Sequence, residues 1–282
     1  VIVRKNHLQR WIPYLFVAPA FLLIMGVVAY PILNVMVRSF HIQEEDRYGL
    51  DHYYTLFTSK IALNNLYYTS YIVIITVLLS IVLAYALALY LRFTQSWASR
   101  LIGALYLLPR FIPGLVAVNA MITVIRDSGL LNRIALAFGY DIKPGLMFNE
   151  KGIILMNLWF NVPFATMLLM AALSNIPQSL IDSARDVGAG RIKLFVHMIL
   201  PLTLKDVMIA ATFIFMSNIG SFTTPYLMDS SSPQMLGISL FTQFSNMNYE
   251  YAAALSVLMF FLCSLSAAVY IYTNMRDKQW EK

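Results

Sequence analysis

Residues 66–91 read LYYTSYIVIITVLLSIVLAYALALYL. The stretch has no charged residue, no proline and no glycine, and its apolar residues run on without a period of two. A helix needs about 20 mostly apolar residues to cross the hydrocarbon of a bilayer. A barrel strand would alternate every second residue instead. In lipid, every backbone N–H and C=O must be bonded inside the structure, and a continuous apolar helix meets that demand within one segment. The stretch therefore predicts a transmembrane helix.

Working outward, five further runs of the same kind fall near 12–37, 101–125, 152–173, 205–227 and 252–273. The third is interrupted by Pro109 and Pro113 and carries Arg110; the fourth holds Asn157, Asn161 and Pro163; the fifth holds Asn218 and Gly220. The whole chain agrees: 59% of its 282 residues are hydrophobic and 12% charged, against roughly 45–50% and about 25% in a soluble domain. The fold expected is an all-α integral membrane protein of six transmembrane helices in a single domain spanning 1–282. No cleavable signal peptide is expected, because the first apolar run is too long and no small-residue cleavage site follows it. The start at Val1 rather than Met leaves room for a leader upstream.

Orientation follows from Lys and Arg in the short connections. Arg4, Lys5 and Arg10 precede the first span, and Arg92 and Arg100 lie between the second and third. Arg185, Arg191, Lys193 and Lys205 stand against Asp182 and Asp186 between the fourth and fifth, and Arg276, Lys278 and Lys282 follow the last. The other loops are less biased; 228–251 has only Asp229 and Glu250. Both termini are expected in the cytoplasm. The net charge of +6 is accounted for by these loops, and no nucleic-acid-binding signature accompanies it. Cys263 is single and sits in an apolar run, which reads as packing. The four histidines show no metal spacing, and Trp11, Trp159 and Trp280 read as interfacial anchors.

One segment, 174–204, is too polar to span yet strongly patterned. Ser174 and Asn175 can cap a helix that starts at Pro177. Leu180, Ile181, Ala184 and Val187 recur at helical spacing. Gly188 can end that helix in a left-handed turn. A second amphipathic stretch follows through Leu194, Phe195, Met198 and Ile199, and Pro201 closes the segment.

Residues 180–201 of this segment, LIDSARDVGAGRIKLFVHMILP, resemble the loop that reads Glu-Ala-Ala, three residues, Gly, nine residues, Ile, one residue, Leu-Pro in ATP-binding-cassette (ABC) importer permeases. Asp182, Ser183, Ala184, Gly188, Met198, Leu200 and Pro201 stand at its positions, with Asp for Glu, Ser for Ala and Met for Ile as departures. The chain is thus similar to the inner-membrane components of binding-protein-dependent transport systems, with the MetI-like fold. The likeness covers roughly residues 60–275 and includes Leu-Leu-Pro109 with Pro113, and Ser128-Gly129-Leu130-Leu131-Asn132. It also takes in Gly220-Ser221-Phe222-Thr223-Thr224-Pro225-Tyr226-Leu227. That last stretch looks like one in polyamine, iron, thiamine and phosphonate permeases. Carbohydrate permeases carry a Gly-Gly-Pro sequence there, to which Ser230-Ser231-Ser232-Pro233 is the nearest approach.

The resemblance implies that 174–204 is a coupling helix between the fourth and fifth spans. It would dock on an ATP-hydrolysing subunit through Asp182, Ser183, Ala184, Gly188, Ala189, Leu200 and Pro201. Asp182, near the helix start, would favour the helix dipole and meet a basic partner residue. It also implies a second permease subunit (identical or not), two ATPase subunits, an external solute-binding protein and a place in the bacterial inner membrane. No phosphate-cradling Gly-x-x-x-x-Gly-Lys-Ser/Thr run occurs. The chain is therefore expected to be no ATPase and to hold no cofactor, with ATP and Mg²⁺ bound by the partner subunits.

Polar residues at membrane depth should face a pore or a partner. Candidates for the translocation pathway are Arg110, Asn119, Asn157, Asn161, Asn218 and Ser221. For the asparagines, interhelical hydrogen bonding is the competing explanation, worth about 0.6 kcal/mol each. Polyamine, phosphonate or iron-chelate solutes are favoured over carbohydrate. A secondary transporter or channel is the alternative from another class, and the expectation that no acid lies inside a span argues against it. A membrane enzyme would need a cluster of His, Asp, Glu or Ser, which the sequence does not present.

Overall fold

The computed structural model describes residues 7–43, 46–228 and 232–277. Arg4, Lys5, Asp229, Ser230, Ser231, Lys278, Trp280 and Lys282 lie outside the described residues, as do the side chains of His7, Arg10, Trp11 and Arg276. Within the described residues six stretches are long and apolar enough to cross a membrane: Tyr14–Arg38, Lys60–Phe93, Gly114–Ala137, Glu150–Ser174, Arg191–Ile219 and Tyr249–Tyr272. The expected all-helical, six-span class is what the structure has.

The chain divides into two compact units, Val1–Ser59 with Leu240–Leu258, and Lys60–Ser239 with Met259–Lys282. In the first unit, helix α1 (His7–Ile24) passes through a π turn at Met25–Ala29 into α2 (Tyr30–Arg38). None of the apolar window of this span is buried. After it come a two-stranded antiparallel ladder, β1 (His41–Ile42) with β2 (Arg47–Tyr48), and α3 (Asp51–Thr58). Arg38 donates to Glu250 at 3.3 Å and lies 5.1 Å from the centre of the Tyr249 ring.

The second unit is built on α4 (Lys60–Phe93), followed by α5 (Trp97–Leu105), α6 (Gly114–Ile125), α7 (Leu130–Ala137) and α8 (Glu150–Ser174). Next come α9 (Gln178–Asp186), α10 (Arg191–Leu194), α11 (Leu200–Ile219) and α12 (Thr223–Met228). Helices α13 (Leu236–Ser245) and α14 (Tyr249–Asp277) complete the chain, and residues 240–258 of this stretch belong to the first unit. Ile72 and Val73 of α4 cluster with Ile153 and Met156 of α8, and farther along Ala84 and Ala88 cluster with Ala165 and Leu169. The two helices therefore run side by side in the same direction. Helix α11 returns against them, with Ile214 in the second cluster and Ile219 in the first. Ser80, Ala84 and Ala88, spaced by four, are fully buried. Small residues at that spacing let the α8 backbone approach. Because lipid tails are as apolar as leucine, this fit and its dispersion contacts hold the pair, not exclusion of water. Cys263 packs on the first cluster, as expected.

Two spans differ from expectation. Residues 101–125 are not one helix: α5 ends at Leu105, a 3₁₀ turn covers Leu108–Phe111, and Ile112 is extended before Pro113. The residue before a proline is pushed out of the helical region, so the chain restarts at Gly114. The fifth span, expected at 205–227, runs from Arg191 to Ile219 without a stop at Pro201. A π turn at Phe195–Ile199 leads into it, with the Leu200 N–H bonded to the Phe195 carbonyl. In an unbroken α-helix the proline ring would clash with the His197 carbonyl and lack its bond; the wider turn removes that conflict. The same device precedes Pro31, where Tyr30 N–H reaches the Met25 carbonyl. Asp206, which is half-buried, lies within both the expected 205–227 and the observed span, so the expectation of no acid inside a span fails there.

Candidate functional site

The patterned segment after α8 forms a helix and a tight turn. Pro177 precedes α9 in an extended conformation, with no side-chain cap. Ser174 Oγ donates instead to the Met170 carbonyl, and Asn175 closes α8, so neither residue caps α9 as expected. Ile181 is 1% exposed and anchors α9 in the second core cluster, against which Ala184 also packs. At the far end the Gly188 N–H donates to the Arg185 carbonyl and the Ala189 N–H to the Ala184 carbonyl. This is the paired pattern of a Schellman turn, and Gly188 supplies its left-handed residue at φ +82°.

The turn holds up two apolar side chains with nothing over them: Val187 is 85% exposed and Ile192 81%. Asp182 lies a turn beyond the helix start, so the dipole role expected of it does not apply. It accepts from Gln178 at 3.0 Å and pairs with Arg185 at 3.6 Å. Ser183 Oγ donates to the Ser179 carbonyl. Leu200 packs on the second cluster, while Pro201 is exposed.

Of the pathway candidates, the structure brings three together. Asn161 Nδ2 donates to the Asn157 carbonyl at 2.7 Å and to Asn218 Oδ1 at 3.3 Å, bridging α8 and α11. All three asparagines are buried, so they lie inside the unit rather than on an open surface. Asn157 Nδ2, Thr76 Oγ1 and Ser80 Oγ are buried without partners. The others lie apart from this group. Asn119, on α6, is exposed and donates to the Leu115 carbonyl. Ser221 is half-buried in the break after α11. Arg110 is exposed in the 3₁₀ turn, its guanidinium 5.1 Å from the centre of the Phe164 ring of α8. Among the described residues no carboxylate pairs with it.

Sequence reasoning missed two residues that organise the other end of the unit. Asn65 Oδ1 accepts the Gln234 N–H, and Thr69 Oγ1 accepts the Leu236 N–H, holding the start of α13. The first amides of a helix have no partner within it; Thr69 supplies one to Leu236, and Asn65 holds the chain just before it. Their signal was a pair of polar residues four apart entering the most apolar span. In the Gly129–Asn132 element, Asn132 Oδ1 accepts the Ile142 N–H. Hydrogen bonds from Lys143 and Asn132 hold the nearby Asp141 carboxyl below the usual range.

Residues 76–276 match the family described as binding-protein-dependent transport system inner membrane component. The sulfoquinovosyl glycerol transport system permease protein SmoG of Agrobacterium fabrum is 27% identical, over 96% of each chain. The spermidine/putrescine transport system permease protein PotB of Escherichia coli K12 is 25% identical, over 70% of this chain and 72% of its own. In fold, a bacterial alginate ABC transporter, crystallised with an alginate pentasaccharide-bound periplasmic protein, superposes with a TM-score of 0.77. It is 18% identical, over 99% of this chain and 98% of that one. The chain therefore belongs to the binding-protein-dependent transport system inner membrane components, the multi-pass permease subunits of bacterial ABC importers.

Proposed function

We propose that this permease is driven by a separate ATPase subunit that grips the turn between α9 and α10. The observation that carries the reading is the pair Val187 and Ile192, exposed on a rigid turn whose other side is pinned by Ile181. The segment around them is too polar to lie in lipid, so these two tips, which no bilayer would cover, fit a partner cleft. In this reading both termini and the turn face the cytoplasm. ATP and Mg²⁺ sit in two partner subunits, a second permease completes the pathway, and an external binding protein delivers the solute. Closure of the ATPase pair moves α9, and the continuous Arg191–Ile219 helix carries the motion into the membrane.

For the solute we favour an anionic molecule, of the phosphonate or sulfonated glycoside kind, over the polyamine and iron-chelate classes that the sequence also suggested; the glycoside departs from the sequence reading, which placed carbohydrate last. Among the described residues Arg110 is an exposed cation with an aromatic partner and no acid beside it, which suits an anion and repels a polyamine. The likeness to SmoG over nearly the whole chain supports this; the likeness to PotB supports the polyamine reading.

Proteoliposomes holding the chain with its candidate ATPase, second permease and binding protein would test both parts. ATP-driven uptake of sulfoquinovosyl glycerol or methylphosphonate is expected. It should fall at least about tenfold in Arg110→Ala and vanish in a Gly188→Pro, Asp182→Arg double variant. Uptake of spermidine alone would overturn the solute assignment, and uptake untouched by the double variant would overturn the coupling role.

A further inference from the structure

We propose that the cleft between the end of α4 and the α9–α10 turn binds the phosphate headgroup of an anionic membrane lipid. The cleft has a volume of about 390 Å³. Its rim carries Arg185 and Arg191, and its wall is mainly apolar, with Leu89 and Phe93 of α4, Leu194 and Ile199, while Tyr90 and Thr94 add hydroxyls. A paired cation rim over an apolar wall is the chemistry of an anionic amphiphile. Basic pockets between helices at the cytoplasmic surface take acidic headgroups. Arg191 has no carboxylate partner among the described residues, and Arg185 reaches Asp182 only through Nη1 at 3.6 Å. Both guanidinium groups therefore keep donors free for phosphate oxygens, which they match in geometry.

Occupancy would fill the gap beneath the turn and brace it against α4. Neither Val187 nor Ile192 lines the cleft, so a lipid there leaves the exposed tips open to a protein partner. The inference rests on the orientation in the permease reading, which puts this end of the chain at the cytoplasmic leaflet.

The test is native mass spectrometry of the purified full chain with phosphatidylglycerol, phosphatidylcholine or inorganic phosphate added. Phosphatidylglycerol should remain bound through delipidation and phosphatidylcholine should not. An Arg185→Gln, Arg191→Gln double variant should bind the acidic lipid about thirtyfold more weakly, from about fivefold per basic residue. Leu89→Trp keeps both charges and fills the wall; it should lose the lipid as well. A control pair far from the cleft, Arg126→Gln with Arg133→Gln, should bind as the wild type does. Equal binding of both lipids, or no effect of either cleft variant, would overturn the proposal. Displacement by millimolar inorganic phosphate would reassign the site to a free anion and overturn it as a lipid site. The assay contains no ATPase, so a wild-type chain that retains no phosphatidylglycerol here, yet captures the ATPase in a separate co-purification, would sink this inference alone. Lipid retention without any ATPase capture would sink the permease coupling alone.

Discussion

A Cβ built on Gly152 would lie 1.9 Å from the Leu146 carbonyl oxygen. The obstacle is backbone, fixed by the Asn149 side chain, which caps α8 and bonds back to the Gly145 and Met147 carbonyls. Overpacking of this kind costs about 1–3 kcal/mol or more. Gly188 differs: nothing lies within 4 Å of its added Cβ, but its φ is +82°. A side chain there costs about 1–2 kcal/mol through the backbone alone. Gly152→Ala is therefore expected to lower the thermal midpoint of the purified chain. Gly188→Ala should leave the bulk of the fold intact and speed amide exchange only across 184–190. Equal midpoints for Gly152→Ala and wild type would refute the first half. Gly188 was legible in the sequence because a helix-ending glycine announces itself by its place after a periodic run. Gly152 was not, since its constraint comes from a carbonyl six residues away across an irregular loop.

At the scale of elements, the apolar runs at 66–91 and 152–173 were readable because each lies within one unbroken helix. Pro113 acted as the sequence suggested. Pro201 did not. A proline reads as a helix end only if the helix keeps one register, and the π turn at 195–199 changes register just before it. The asparagines were found by their depth, but their partner choice was hidden, because it depends on how α8 and α11 meet. For that contact a double-mutant cycle on Asn161→Ala and Asn218→Ala should give a coupling near 0.6 kcal/mol, and no more than about 1.7. The readout is unfolding of the purified chain in mixed micelles. Zero coupling would mean that the 3.3 Å contact adds nothing beyond helix packing.

Across the whole molecule, six spans and membership of the permease family were recoverable from hydropathy and one loop. The boundary between the two compact units was not, because the hydrophobic pattern of α14 continues smoothly across it. Nor was the half-buried Asp206 recognised as an acid within a span. The secondary-transporter alternative is therefore set aside by the family match and not by the absence of acids. The central claim is that a separate ATPase grips the turn that carries Val187. It is tested most directly by cross-linking from Val187→Cys in a Cys263→Ser background, with Tyr54→Cys, 72% exposed in the first unit, as the control. The account predicts a cross-link to the ATPase subunit from position 187, weakened or strengthened by ATP, and none from position 54. A cross-link from 54 and none from 187 would contradict it.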